Sequence, residues 1–281
     1  MGGGDITTRL LVPFNLKAQA KIVSKEGGII SGLDIAKKTF KLVDSRIRFV
    51  SNLKDGNRLR PGTVVACIYG PAGKILAAER TALNILARLS GIATNTRRFI
   101  EKVKPYKRIK IFDTRKTTPN LRILERYAVR VGGGFNHRMN LSDGILIKDN
   151  HIEILHLLYG NKGFLKLIER MKKRVAKKVN IEIEVSNLKE FNAALEARPY
   201  AIMLDNMNLG DIKKAVALRE RLRHKISGNL PKLEVSGGIT LSNVLEFAKT
   251  GVDMISIGSL THSVESLDLA LEIEKLYPVR E

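Results

Sequence analysis

The stretch IEIEVSNLKEFNAALEARPYAIMLDN (181–206) contains a complete strand–helix–strand repeat. Its two apolar, β-branched runs, 181–185 and 201–204, have the length and composition of buried strands. Between them, residues 187–197 place apolar side chains at the spacing of an amphipathic helix. A helix that connects two short strands in this way is typical of a parallel β/α fold.

The same alternation extends in both directions, from about residue 106 to the end of the sequence. Four further apolar runs are predicted strands: IKIF (109–112), GILI (144–147), LEV (233–235) and MISI (254–257). Helical patterns occupy the segments 120–131, 151–159, 164–178, 209–225, 241–249 and 264–276. Repeated units of this kind predict a β/α barrel, closed or open, with a doubly wound open sheet as the alternative. No glycine-rich dinucleotide or P-loop pattern supports that alternative.

Residues 1–105 lack this repeat and are predicted to form a separate α/β domain. Turn sequences such as KEGG, KDGN, RPG and GPAG separate short β-branched runs, and one helical stretch at 33–43 interrupts them. A long helical pattern then extends from about residue 77 to residue 103, and Pro105 ends it. We therefore predict two domains, 1–105 and 106–281, with a last helix that packs back on the first domain.

The chain is strongly basic, with a formal net charge of +21 over 281 residues. Such a charge attracts polyanions, so a nucleic-acid-binding protein is one alternative function. Much of the excess charge lies in helical segments such as 169–179 and 213–225, where cations alternate with apolar residues as on solvated helix faces. Aromatic residues make up only 5% of the chain, which leaves few stacking surfaces for single strands. We expect no nucleic-acid partner.

Composition also bounds the compartment and the metal chemistry. No window of about 18 apolar residues predicts a transmembrane helix, and no basic-then-apolar leader is present, so we expect a cytoplasmic protein without a membrane partner. Cys67 is the only cysteine. A disulfide within the chain and a cysteine-based zinc site are therefore excluded.

Polar residues follow the predicted strands at their C-terminal ends. In a β/α barrel these ends face one common mouth, so residues far apart in sequence converge there. The residues that follow strands are Thr114, Arg115, Lys116, Lys148 and Asp205, with the small-residue loops Ser236-Gly237-Gly238 and Gly258-Ser259. Glu184 lies inside its strand, and His137 and Arg138 join the group from the segment GGGFNHR.

These groups suit different parts of an anionic substrate. Arginine presents a planar fork to a carboxylate, whereas lysine acts as a point charge. Glycine loops bind phosphate through backbone N–H groups, and two carboxylates beside a phosphate site suit Mg²⁺. Of Glu182 and Glu184, we expect one to face the barrel interior and the other the helices. We choose Glu184 because it lies nearer the end of its strand.

Long, ordered motifs over essentially the whole chain carry a resemblance to a known family. They are ERTALNILARLSGIAT (79–94), DTRKTTPNLR (113–122), GGGFNHR (132–138), LIKDNH (146–151), EIEV (182–185), MLDN (203–206), EVSGGI (234–239) and ISIGSLTHS (255–263). In these motifs the chain resembles the quinolinate phosphoribosyltransferases, also called nicotinate-nucleotide pyrophosphorylases. The resemblance implies an N-terminal α/β sandwich domain, an open β/α barrel, and a homodimer in which each site borrows residues from the partner subunit.

Matched residue by residue, the resemblance also implies roles for side chains of this sequence. The substrate-binding residues are then Arg80 (contributed by the partner subunit), Thr114, Arg115, His137 and Arg138. The catalytic residues are Lys116, Lys148, Glu184 and Asp205, of which the two carboxylates also hold Mg²⁺. The phosphate-binding residues are Ser236, Gly237, Gly238, Gly258 and Ser259, with His262 nearby.

The reaction that the resemblance implies is Mg²⁺-dependent transfer of a phosphoribosyl group from phosphoribosyl pyrophosphate to quinolinate, with decarboxylation. Its products are nicotinate mononucleotide, pyrophosphate and CO2, in NAD biosynthesis. A related phosphoribosyltransferase that acts on nicotinate or another aromatic acid is the alternative. Arg138 and Lys148 favour the substrate with two carboxylates.

Overall fold

The computed structural model of the chain describes residues 4–174, 179–223 and 229–277. It divides into two compact units, each built from segments that are distant in sequence. The first unit comprises Met1–Arg97, Thr118–Gly133 and Ser263–Glu281, and the second comprises Arg98–Thr117 and Gly134–His262. No helix in the described ranges has the length and apolar character needed to cross a membrane.

The helices and strands alternate through most of the chain. In chain order they are α1 (Ile6–Leu11), β1 (Lys17–Ser24), β2 (Gly28–Ile29), α2 (Leu33–Val43), β3 (Arg48–Val50), β4 (Arg58–Leu59), β5 (Val64–Pro71), α3 (Ala72–Val103), β6 (Lys110–Phe112), α4 (Arg122–Val131), β7 (Ile145–Ile147), α5 (Asp149–Arg174), β8 (Ile181–Val185), α6 (Leu188–Ala197), β9 (Ala201–Asp205), α7 (Leu209–Leu222), β10 (Lys232–Ser236), α8 (Val244–Ala248), β11 (Met254–Ser256), α9 (Ser259–His262) and β12 (Leu269–Tyr277).

The first unit is built on a four-stranded sheet in the order β12-β1-β5-β3, beside a small β2-β4 pair. Alternate residues of β1, such as Ala20 and Ile22, are buried in its core, as the two-residue period of a strand requires. Phe40 of α2 and Leu86 of α3 belong to the same core and are fully buried. The helices therefore cover one face of the sheet, which is the packing of an α/β sandwich.

The last segment of the chain corrects one prediction, because residues 269–277 form a strand and not part of a helix at 264–276. Strand β12 pairs antiparallel with β1 along its whole length. Lys21 of β1 lies 3.2 Å from Glu274 and 3.6 Å from Glu272, which adds opposite charges across this pair. The partner strand stands some 250 positions earlier in the sequence, so local periodicity did not reveal the pairing.

The second unit is built on a six-stranded parallel sheet in the order β6-β11-β10-β9-β8-β7. Within the described residues β6 and β7 are the two edges and do not pair with each other, so the barrel is open. The predicted open β/α barrel with an N-terminal α/β domain is confirmed. The predicted helices at 151–159 and 164–178 belong to one element, α5, which Gly160 interrupts with φ 64° and ψ 180°; residues 175–178 lie outside the described ranges.

A buried ion pair in the first unit fixes the start of the segment that leads into α4. Glu125 of α4 is fully buried, and its Oε1 accepts hydrogen bonds from Nε and Nη2 of Arg88, at 2.9 and 2.6 Å. The other oxygen, Oε2, accepts the backbone N–H of Thr118 at 3.1 Å. Both carboxylate oxygens are therefore bonded, which is the condition under which a buried charge is tolerated.

Candidate active site

The C-terminal ends of β7 to β11 bring most of the predicted site residues to one edge of the second unit. Neighbouring strands are in parallel register there, with Asp205 opposite Ser236 and Glu184 opposite Met203. Lys148 directly follows the end of β7, whose Ile147 is opposite Ile183. Residues between Lys148 and Ser236 are thus placed side by side by strand register alone.

Two arginines form the cationic side of this mouth. The pKa of Arg138 is lowered from its ordinary value by burial and by the neighbouring charge of Arg115, against an opposing effect of Glu182. Nη1 of Arg138 also donates a hydrogen bond to the carbonyl oxygen of Gly144 at 2.9 Å. Two like charges held together in a half-buried setting cost free energy, and an anionic ligand between them lowers that cost.

Two carboxylates, Glu184 and Asp205, lie on the neighbouring strands β8 and β9 at the same edge. The pKa of Glu184 is raised, mainly by burial; the charge of Asp205 adds to this effect and the charge of Lys148 opposes it. Oδ2 of Asp205 accepts a hydrogen bond from Nδ2 of Asn206 at 2.7 Å, which orients the carboxylate. Glu184 and Asp205 are half-buried, and their like charges repel each other. An additional positive charge between them would therefore be stabilising.

The prediction that only one of Glu182 and Glu184 faces the interior is wrong. Nε2 of His137 lies 2.9 Å from Oε2 of Glu182, while Glu184 is close to Lys148 and Asp205. Residues two positions apart in a strand point to the same face, so both glutamates face the mouth, Glu182 deeper and Glu184 nearer its rim.

Lys116 lies against the loop that follows β11. Its backbone carbonyl accepts a hydrogen bond from Oγ1 of Thr261 at 2.7 Å. A Cβ at Gly258 would stand 3.3 Å from Cδ of Lys116 and 3.1 Å from the ring of His262, so a larger residue would displace both side chains. The backbone N–H of Lys116 donates to Oγ1 of Thr114 at 3.1 Å, which holds the turn after β6.

The loop after β10 requires glycine at two consecutive positions. Gly237 and Gly238 have φ values of +94° and +60°, in the left-handed region that other residues rarely adopt. A Cβ at Gly237 would also collide with the side chain of Asn206, whose backbone N–H donates to the carbonyl of Ser236 at 2.9 Å. Ser259 begins α9 after the Gly258 loop. Both loops directly follow the C-terminal ends of their strands, β10 and β11, where the phosphate-binding groups are predicted.

Arg80 belongs to the first unit, on α3. Its side chain is 75% exposed, and Nη2 lies 3.8 Å from Oε1 of Glu79 on the same helix. An exposed ion pair of this length contributes little to stability. Its side chain is accordingly available for another role.

Two family models together match almost the whole chain. The model for the N-terminal domain of quinolinate phosphoribosyl transferase matches residues 5–90, and the model for the C-terminal domain matches residues 92–272. The chain belongs to the quinolinate phosphoribosyltransferase family. The resemblance read from the motifs is confirmed.

Similar proteins of this family come from both archaea and bacteria. The chain is 43% identical over 274 residues to a probable carboxylating nicotinate-nucleotide pyrophosphorylase of Methanocaldococcus jannaschii, with 97% of this chain and 93% of that protein covered. It is 41% identical over 275 residues to one from Bacillus subtilis, with 97% and 89% covered. The crystal structure of NadC from Streptococcus pyogenes matches with a TM-score of 0.85 at 38% identity, covering 98% of this chain and 92% of that one.

Three buried acids of this quinolinate phosphoribosyltransferase were not predicted as site residues. Asp113 is fully buried, and its two carboxylate oxygens accept the backbone N–H of His137 at 2.7 Å and Nδ2 of Asn136 at 2.6 Å. Glu182 and Glu234 lie behind the ring of His137. The sequence indicated the burial of Glu234, because this residue stands between two apolar residues in the middle of a predicted strand. A buried acid requires hydrogen-bond or charge partners, so it is a candidate site residue.

Proposed function

We propose that this chain is a cytoplasmic enzyme that transfers the phosphoribosyl group of phosphoribosyl pyrophosphate to the ring nitrogen of quinolinate, with loss of one carboxylate as CO2. The observation that carries the proposal is the half-buried pair Arg115 and Arg138: burial, followed by the charge of Arg115, lowers the pKa of Arg138. Quinolinate bears two adjacent carboxylates, and a dianion is the ligand that best relieves two juxtaposed guanidinium charges.

The substrate carboxylates are bound by Arg115, Arg138 and His137 in this proposal. Each charge-assisted hydrogen bond of this kind contributes about 1.5–3 kcal/mol. Since Gly144 fixes one end of the Arg138 guanidinium, the remaining N–H groups are oriented in advance, and little side-chain entropy is lost on binding. Thr114 maintains the turn that presents Arg115.

The second substrate occupies the glycine loops and the carboxylate side of the mouth. Ser236, Gly237 and Gly238 with Gly258 and Ser259 bind its phosphate oxygens through backbone N–H groups, and Lys116 lies beside them. Glu184 and Asp205 fit Mg²⁺, because they are oxygen donors that already repel each other at close range. Bound there, Mg²⁺ supplies positive charge to the departing pyrophosphate.

Catalysis in this scheme consists of positioning and electrostatic stabilisation. The bond between the anomeric carbon and the pyrophosphate oxygen breaks as the ring nitrogen forms its new bond to that carbon, and Lys116 stabilises the charge that develops on the leaving group. The ribosylated ring nitrogen is cationic, so the adjacent carbon–carboxylate bond breaks with its electron pair left on the ring. Lys148 stands at the rim, near Glu184, and provides positive charge or the proton for that carbon.

The first prediction tests the activity directly. Purified protein with quinolinate, phosphoribosyl pyrophosphate and Mg²⁺ should release CO2 and form nicotinate mononucleotide, whereas EDTA should stop the reaction. Nicotinate in place of quinolinate should give little product, because it offers only one carboxylate to the arginine pair. Efficient use of nicotinate without CO2 release would contradict the proposal and favour the related phosphoribosyltransferase.

We further propose that the active enzyme is a homodimer in which each site takes Arg80 from the partner subunit. Two features of the first unit support this arrangement: the exposed side chain of Arg80, and the exposed apolar residues at the N-terminus. In α1 and just after it, Leu10, Leu11 and Phe14 are 79%, 75% and 95% exposed. Apolar side chains grouped this way are typical of an interface.

A subunit-mixing experiment is the second prediction. Arg80→Ala and Lys148→Ala homodimers should each be nearly inactive, because both of their sites lack one essential group. Subunits of the two variants, dissociated and reassociated together, form mixed dimers in which one site has both residues, so about a quarter of the wild-type sites should be restored. Arg115→Ala mixed with Lys148→Ala is the matched control and should restore nothing, because both changes lie in the same barrel. Equal recovery in both mixtures would contradict the shared site.

A further inference from the structure

Behind the mouth, three titratable side chains of the second unit converge on one point. Each of His137, Glu182 and Glu234 offers one atom, and these atoms all lie within 4.8 Å of one another. Nε2 of His137 is 2.9 Å from Glu182 Oε2 and 3.8 Å from Glu234 Oε1. Glu182 is 8% exposed and Glu234 only 1% exposed, so the cluster is almost entirely removed from water.

If Glu182 and Glu234 are both ionised, one of their four carboxylate oxygens has no hydrogen-bond donor among the described residues. Oε1 of Glu234 accepts the hydroxyl of Ser256, but Oε1 of Glu182 is buried and has no donor among the described residues. Two carboxylates at this distance in a dry setting repel strongly, and one proton between them removes the repulsion. A proton on Glu234 also supplies the donor that Glu182 lacks. Burial, followed by the charge of Glu182, raises the pKa of Glu234 well above its ordinary value.

The position of the His137 ring depends on this carboxyl pair. The backbone N–H of His137 is fixed by Asp113, but the ring itself is held by Glu182 on one side and meets Phe112 edge-on, with centroids 6.5 Å apart. If Glu182 rotated, the 2.9 Å contact between its Oε2 and Nε2 of His137 would be lost, and with it one restraint on the direction of the ring. Glu182 lies on β8 and Glu234 on β10, so the support comes from two strands of the sheet.

We propose that Glu234 is a positioning residue for the reaction: it remains protonated, donates a hydrogen bond to Glu182, and through Glu182 fixes the ring of His137 toward the substrate. The inference rests on the proposed function, because His137 is there a ligand of quinolinate. Glu234 acts through two other side chains and does not itself touch the substrate. Glu234 does not take part in phosphoribosyl transfer itself. It determines how tightly the enzyme binds quinolinate.

Two variants of Glu234 form the third prediction. Glu234→Met has similar volume but neither donates nor accepts, so it should raise the KM for quinolinate by about 10- to 100-fold through the unsatisfied Glu182, while the KM for phosphoribosyl pyrophosphate stays near the wild-type value. Glu234→Gln resembles the protonated acid: its amide donates to Glu182 and its oxygen accepts from Ser256. It should recover most of the affinity that methionine loses.

Two controls separate positioning from a general loss of structure. Arg219→Met breaks an ion pair with the partly exposed Asp253 in the same unit, at the N-terminal side of β10 and β11 and away from their C-terminal ends, and should lower stability without a selective change in either KM. In a His137→Ala background, Glu234→Met should have no further effect on the quinolinate KM, because the residue it positions is absent.

Infrared difference spectra of wild type minus Glu234→Gln at neutral pH should contain the C=O band of a protonated carboxyl, and this readout does not depend on the methionine variant folding.

Several results would overturn the inference while leaving the proposed function intact, provided that the wild-type protein releases CO2 from quinolinate. They are a glutamine variant as impaired as the methionine variant, additive effects with His137→Ala, and the absence of the carboxyl band. One bound metal ion per chain that is lost in Glu234→Gln would also overturn it, since the cluster would then be a metal site. A wild-type protein that does not act on quinolinate would refute the proposed function instead.

Discussion

Replacing Arg138 with alanine should raise the KM for quinolinate by about 10²- to 10³-fold and leave the KM for phosphoribosyl pyrophosphate close to its wild-type value. The expected size follows from the half-buried setting of the guanidinium, where a lost charge-assisted contact leaves a substrate carboxylate unpaired. Arg138→Lys keeps the charge but loses the planar fork, so it should restore only part of the affinity.

The stability of the folded protein should not fall together with substrate affinity in Arg138→Ala. Arg138→Ala removes a charge that repels Arg115 and that burial disfavours, so the melting temperature should stay unchanged or rise slightly even as activity falls. The bond from Arg138 to the carbonyl of Gly144 is lost as well. Arg97→Ala is a matched control for that loss, because Nε of Arg97 donates to the carbonyl of Gly132 at 2.8 Å in the first unit.

Steady-state kinetics with each substrate varied in turn, together with thermal denaturation of the three variants, would check this prediction. A wild-type KM for quinolinate in Arg138→Ala would remove Arg138 from the proposed site. An equal fall in affinity for both substrates, or the same change in Arg97→Ala, would point to a loss of structure instead.

Much of the second unit was predictable because its signals are local. Each strand from β6 to β11 begins and ends within about two residues of its predicted bounds, since short β-branched runs between amphipathic segments have few other interpretations. The convergence of Lys148, Glu184 and Asp205 follows from a rule of topology, that parallel strands end at one edge. That rule needs no knowledge of the side chains.

What the sequence did not reveal depends on partners that are distant in the chain. The run LALEIEKLY suits a strand as well as a helix, and only its pairing with β1 selects the strand. The apolar neighbours of Glu234 indicate that it is buried, but only the folded sheet shows that it lies close to Glu182 and His137. The error over Glu182 and Glu184 was of another kind, since the two-residue period of a strand already placed both on one face.

The acidic side of the mouth gives the last prediction, that Asp205→Asn weakens the response to Mg²⁺. The change keeps the shape of the side chain and an oxygen that can accept the hydrogen bond from Asn206, but removes the charge. The Mg²⁺ concentration for half-maximal rate should rise about 10-fold or more, which corresponds to roughly 1.4 kcal/mol for one lost charge-assisted ligand. At saturating Mg²⁺ part of the rate should return, because Glu184 and the phosphate oxygens remain as ligands.

The control for Asp205→Asn is a second substitution that removes one negative charge elsewhere in the same unit, and both variants are compared by Mg²⁺ titration. Asp211→Asn changes a partly exposed acid of α7 that bonds to Lys214, so it alters net charge by the same amount without touching the mouth, and its Mg²⁺ titration should match the wild type. Since the charge of Asp205 contributes to the raised pKa of Glu184, Asp205→Asn also brings that pKa closer to its ordinary value. The substitution thus shifts Glu184 toward its ionised form, although burial, the main cause of the raised pKa, remains, so a weaker Mg²⁺ response would not come from added protonation of Glu184. A wild-type titration in Asp205→Asn would show that Asp205 is not a metal ligand in this enzyme.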